Sequence, residues 1–88
     1  MEITFDPAKS ETNLRERGFG FELAASFDFA AALIWIDDRF DYGEIRYSAL
    51  GPVHGRIHAL VFAETETGIR IISFRKANKR EVKRYEQQ

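Results

Sequence analysis

The sequence predicts an α+β domain. It has an antiparallel sheet, two N-terminal helices and one C-terminal helix, in the order β-α-α-β-β-β-β-α. Three observations carry this. Helix-boundary signals sit near both ends of the chain, at Asp6-Pro7 and at Asn78 with Glu81. Between residues 44 and 75, three runs rich in β-forming residues follow one another. Their connections are short, which favours an antiparallel meander. The simplest architecture has two helices on one side of the antiparallel sheet.

Taken in order, Glu2–Phe5 is a short strand. Asp6 is a preferred N-cap, and Pro7 suits the first helical position, where its missing N–H has no helical partner to lose. The helix runs to about Arg17, and Gly18 supplies the left-handed residue that ends it. Phe21–Phe27 reads as a second short helix with an imperfect period. Ile34, Trp35 and Ile36 favour a strand, followed by a polar loop over 37–43.

Strands are then expected over Glu44–Leu50, Arg56–Ala63 and Ile69–Arg75. Turns separate them at Gly51–Gly55 and Glu64–Gly68. Asn78 and Glu81 form the capping box of a last helix that runs to about Glu86.

With 88 residues there is room for one domain. Such a chain buries only about 60–65% of the surface its unfolded form exposes. Eight Phe, three Tyr and one Trp are well suited to fill its thin core. The absence of cysteine excludes disulfides and thiolate zinc sites, and fits a reducing cytoplasm. The N-terminus lacks a signal-peptide pattern. The longest apolar run, Phe29–Ile36, is eight residues, far short of a bilayer span.

Charge is unevenly distributed. Residues 1–68 carry six Lys/Arg against twelve Asp/Glu, whereas residues 69–88 carry seven against two. The basic end points to an anionic partner, or else to a solvated basic helix face.

No phosphate-binding loop, dinucleotide fingerprint, zinc-protease motif or helix-turn-helix pattern is present. His54 and His58 straddle a turn and a strand, a poor metal pair. Asp37, Asp38, Asp41 and Glu44 lack a ligand register and read as a solvated loop. No metal or cofactor is expected.

The informative stretch is Arg70–Lys76 and the helix after it. Strict alternation groups Arg70 with Ile72 and Phe74, and Arg75 with Ile71 and Ser73. An arginine near each end of a strand can border a groove, and its guanidinium fork matches phosphate oxygens. RNA fits such a groove because its 2′-hydroxyl is a built-in nucleophile. Arg, Lys, Tyr and Glu then suffice for catalysis without a metal. The alternative, a solvated basic helix with Arg70 in a structural salt bridge, stays open on these residues alone.

The chain resembles the BrnT family of toxins from bacterial type II toxin–antitoxin systems. The resemblance runs from Phe5-Asp6-Pro7-Ala8-Lys9 through Gly18, Phe21–Ala24, Asp41–Glu44, Arg46 and Gly51. Its most specific part is Ile69–Ala77, reading IRIISFRKA, followed by Arg80-Glu81 and Tyr85. The resemblance implies a single RelE-like toxin domain over residues 1–88 and cytoplasmic endoribonuclease activity that inhibits translation. It also implies neutralisation by a BrnA-type ribbon-helix-helix antitoxin, with DNA contacted only through that partner.

On this reading Arg70, Arg75 and Arg80 hold the scissile phosphate. Lys76 positions the backbone, and Arg46 and Arg17 add phosphate contacts. Tyr85 stacks on a base or donates a proton. Glu44 and Glu64 are the candidate bases. Two departures stand out. Glu16-Arg17-Gly18 replaces the family's usual Lys-His-Gly, and arginine is a poor acid or base near neutral pH. Ile45 replaces a glutamate. Phe74 replaces a common alanine, a packing difference. The alternative function is an impaired toxin-fold module that binds the antitoxin and serves operator autoregulation.

Overall fold

The computed structural model describes residues 1–88. The chain forms β1 (Glu2–Phe5), α1 (Pro7–Arg17), two 3-10 helices (Phe21–Ser26 and Phe29–Ala31), β2 (Leu33–Asp37), β3 (Arg46–Val53), β4 (Arg56–Glu64), β5 (Gly68–Lys76) and α2 (Lys79–Glu86). The α+β class and the five strands agree with the expectation. The sheet topology and the second helix do not.

The sheet is mixed rather than antiparallel, with order β1-β5-β4-β3-β2. β1 pairs parallel with β5. Parallel neighbours need a long crossover, and the whole intervening domain supplies it.

Only one α-helix precedes β2, so the order of regular elements is β-α-β-β-β-β-α. The expected second helix is 3-10. Its signature was present as Phe21, Ala24 and Phe27, three residues apart and all buried. Spacing of three stacks side chains on one face of a three-residue turn. Leu23 N–H donates to the Gly20 carbonyl at 3.3 Å and Phe27 N–H to the Ala24 carbonyl at 3.1 Å.

The α1 signals act as read. The Asp6 side chain accepts from Ala8 N–H, and Gly18 closes the helix at φ +88°. Ser10 and Asn13 are buried on this helix. Ser10 Oγ accepts from Phe21 N–H at 2.8 Å, and Asn13 Nδ2 donates to the Phe19 carbonyl at 3.1 Å. α1 is thus tied to the 3-10 segment by hydrogen bonds.

The β3–β4 turn is tighter than expected. β3 continues through Gly51 and Pro52, leaving His54-Gly55 as a two-residue turn with φ of +48° and +79°. Two consecutive positive φ values fit the type I′ hairpin turn. Pro52 keeps its carbonyl useful by accepting Asp28 N–H at 3.1 Å.

The core lies on one face of the sheet. Phe21, Ala24 and Phe27 pack there on Ala49, Val53, Leu60, Phe62, Ile69, Ile71 and Phe74. Phe74, 1% exposed, sits at the centre, edge-on to Phe19 and Phe27. His58 is buried beside it, ring centroids 5.5 Å apart. α2 lies against the opposite face, through Glu81 on Arg75 and Arg84 over Trp35. α1 and the 3-10 segment, bonded together, thus lie on one side of the sheet and α2 on the other. No helix is long and apolar enough to cross a membrane.

Candidate functional site

The site is organised by a β-bulge in β5. Phe62 pairs with Ile71, yet its neighbour Val61 pairs with Ser73, so Ile72 has no partner. An unpaired residue resets which face the following side chains occupy. Residues directly opposite on paired strands share a face. Arg70, Ser73 and Arg75 oppose Ala63, Val61 and Ala59, so all three lie on the face away from the core. The expected split of Arg70 from Arg75 is therefore wrong. Ile69, Ile71 and Phe74 take the core face instead.

Three rows of side chains cross this outer face. One runs Asp37, Arg46, Ala63, Arg70; the next runs Trp35, Ser48, Val61, Ser73; the third runs Leu33, Leu50, Ala59, Arg75. Arg46 and Arg70 meet at Glu44. Arg70 Nη2 donates to Glu44 Oε2 at 2.6 Å and Arg46 Nε donates to the same oxygen at 3.1 Å. The two guanidinium groups, Arg70 first, hold the Glu44 carboxyl below its usual range. Arg46 also stacks over the Tyr42 ring at 4.1 Å.

At the other end, Arg75 makes a two-pronged pair with Glu81, at 2.7 and 2.9 Å. This lowers the Glu81 carboxyl and raises the Arg75 guanidinium. Glu81 Oε1 also closes the capping box on Asn78 N–H at 2.9 Å. One carboxylate therefore positions both Arg75 and the first turn of α2.

The remaining candidates divide. Arg17 lines a groove between α1 and the edge of β5 that also includes Ile72 and Ser73. It thus approaches the outer face from the side. Arg80 is exposed in the first turn of α2, one turn before Arg84. Tyr85 donates to the Ala31 carbonyl at 2.7 Å, which commits its hydroxyl to holding α2 in place. Glu64 is not among the arginines. It opposes Ile69 on the core-side face and accepts from the Tyr47 hydroxyl at 2.9 Å. Lys76 opposes His58, so its register also places it on the core-side face.

The polar loop holds a buried residue. Asp37 is only 6% exposed, paired to Arg39 at 2.8 and 2.9 Å. The Arg39 hydrogen bonds outweigh burial and bring the Asp37 carboxyl to about 2. Its strand position gave the signal: it continues the Leu33, Trp35 alternation on the outer face. With Asp37 held by Arg39 and Glu44 by arginines, the acidic residues form no group arranged to hold a metal. Trp35 and Ser48 were also missed as site residues. The sole tryptophan, on the polar side of an edge strand, was the available hint.

A family model described as the ribonuclease toxin BrnT of type II toxin–antitoxin systems matches residues 5–81. The chain belongs to this family. Comparison with curated proteins finds no match. The match runs from the last residue of β1 through the capping box of α2, and so includes every arginine of the outer face except Arg84. BrnT toxins are ribonucleases of type II systems, so membership implies an antitoxin partner.

Proposed function

We propose that this BrnT chain is a metal-independent endoribonuclease with a RelE-like fold, which inhibits translation and is neutralised in the cytoplasm by a BrnA-type antitoxin. The observation that carries this reading is the gathering of Arg46, Arg70 and Arg75 on one face, with Glu44 between the first two. Arg46 and Arg70 supply forks for the scissile phosphate and its developing charge, and Arg75, two rows away, and Arg80 add positive charge along the RNA. Glu44 stands where an anion is wanted. An incoming phosphate takes over its guanidinium partners, which relieves the lowering of its pKa and makes it a stronger base.

In the reaction the RNA 2′-oxygen attacks the adjacent phosphorus as its proton passes to Glu44. The bond to the 5′-oxygen breaks, and that oxygen takes a proton from water. Arg17 contributes charge from the edge groove and not proton transfer. Glu64 and Lys76 serve at most through the backbone fold, since they face the core side. Tyr85 acts by docking α2.

The test is cleavage of RNA by the purified chain in EDTA, free and ribosome-bound, with Arg70→Ala and Arg75→Ala controls. Cleavage lost in both variants and blocked by the antitoxin supports the reading. Absence of cleavage by folded protein sinks it. It would favour a second reading, an antitoxin-binding module for operator autoregulation. One observation favours that alternative: Arg70 and Arg75 are both already neutralised by carboxylates. Arg17→His is then the first substitution to make.

A further inference from the structure

We propose that the cleft between α2 and the sheet is a nucleobase subsite that prefers guanine. The proposal rests on the ribonuclease reading and names what lies beside the phosphate. The cleft holds about 270 Å³, and Trp35, Ser48, Val61, Arg75, Glu81 and Arg84 are among its lining residues. Its floor is the middle row of the outer face, one row from Arg46 and Arg70. Ser48 and Arg46 lie two residues apart on β3, roughly 7 Å. That spacing lets a nucleotide whose phosphate meets the arginine pair reach this cleft with its base.

The walls carry the groups that bind a base. Trp35 presents a ring face, already covered by the Arg84 guanidinium at 4.0 Å. A planar cation on an indole marks a place where a planar base can stack, either under Arg84 or in its stead. Arg84 is exposed and hangs on a long stem, so it can swing aside without disturbing the fold. Guanine is favoured by hydrogen-bonding pattern. It presents two neighbouring acceptors, O6 and N7, which match an arginine fork, whereas adenine sets a donor beside its acceptor. On its next edge guanine carries N–H donors. Glu81 Oε2, which accepts only Arg75 Nη2 at 2.9 Å, keeps a lone pair for one of them. Uracil has no such acceptor pair; cytosine has one in O2 and N3, but both pyrimidines offer less stacking area to Trp35.

Trp35 is the only tryptophan, so its fluorescence reports the cleft directly. The full chain is titrated with the 3′-monophosphates of guanosine, adenosine, cytidine and uridine, and with inorganic phosphate. Guanosine monophosphate is expected to quench Trp35 at a concentration at least about tenfold lower than the others, and inorganic phosphate is expected not to quench. Ser48→Leu, which fills the floor, should remove the nucleotide response. Arg84→Met, which keeps the stem and deletes the fork, should retain quenching but lose the preference for guanine. Equal responses to all four nucleotides, or none, with RNA cleavage intact would overturn the subsite and leave the ribonuclease reading standing. Guanine-selective quenching without any RNA cleavage would support the subsite and sink the ribonuclease reading.

Discussion

Arg70 and Arg75 share a face of β5 only because Ile72, between them, has no partner on β4. Five positions apart on a regular strand they would point to opposite sides. Deleting Ile72 alone removes the bulge yet leaves Ile71, Ser73, Phe74 and Arg75 on the faces they now occupy. That variant is expected to unfold cooperatively. Deleting Ile72 and Ser73 together sends Phe74 out of the core and Arg75 into it, and cooperative unfolding should be lost. Thermal melts followed by circular dichroism compare the two. Identical behaviour would contradict the bulge as the device that sets the site.

Arg70 sits at the Glu44 end of the outer face, about half exposed and bonded to that carboxylate. Removing a donor that stabilises developing charge costs on the order of 100-fold or more in rate. Arg70→Ala should therefore abolish most cleavage while the melting temperature stays near wild type, because an exposed ion pair adds little stability. Arg70→Lys should recover only part of the rate, since an ammonium cannot form the fork. Single-turnover cleavage rates decide it. Full activity in Arg70→Ala removes this residue from the site.

Gly51 is in a strand, where a side chain would normally fit. Here a Cβ would lie 2.7 Å from Phe27 Cζ and 3.0 Å from Ala32 Cβ. Neither neighbour can retreat, as Phe27 is core and the 3-10 segment is fixed over it. Gly51→Ala is expected to destabilise the chain by about 1–3 kcal/mol through overpacking. Urea titration at constant slope is the measurement, and an unchanged midpoint would refute the close approach.

Stability should fall with acid in two stages. His58 is 4% exposed, and burial lowers its pKa; Arg56, Lys76 and His54 add repulsion, partly offset by the bond between Nδ1 and the Arg56 carbonyl. The unfolded histidine takes up its proton first, so stability declines as pH falls below about 6.5. Asp37, lowered to about 2, contributes stability above the ordinary carboxylate range that is lost as pH drops from about 4 toward 2. A His58→Phe variant should lose the first stage and keep the second. If its melting temperature still falls between pH 7 and 5 as in wild type, His58 is not the responsible group.

Tyr85→Phe separates docking from chemistry. The hydroxyl donates to the Ala31 carbonyl at 2.7 Å, and losing such a bond costs roughly 0.5–1.5 kcal/mol. The variant should melt lower and cleave RNA at close to the wild-type rate when assayed well below its transition. A large rate loss with unchanged stability would instead make Tyr85 a proton donor or stacking residue.

Local signals carried much of this protein. Asp6-Pro7 and Gly18 bounded α1, Asn78 and Glu81 built the capping box, and the runs from 44 to 75 became three strands because each of these effects acts within a few residues. The IRIISFRKA stretch likewise marked Phe74 as packing, and it singled out Arg70 and Arg75, whose part in a site is the proposal above. Tertiary structure decided what depends on a partner far along the chain. The bulge at Ile72 exists only against β4, so the common face of Arg70 and Arg75 was not legible in β5 alone. Glu44 reaches Arg70 across 26 positions, and Glu64 falls to the wrong face because its strand neighbour is Ile69. The choice of 3-10 over α for Phe21–Ser26 followed from burying Phe21, Ala24 and Phe27 on one sheet face. Local sequence thus supplied the candidate residues, while long-range strand pairing determined which of them stand together, since register is set by the pairing itself.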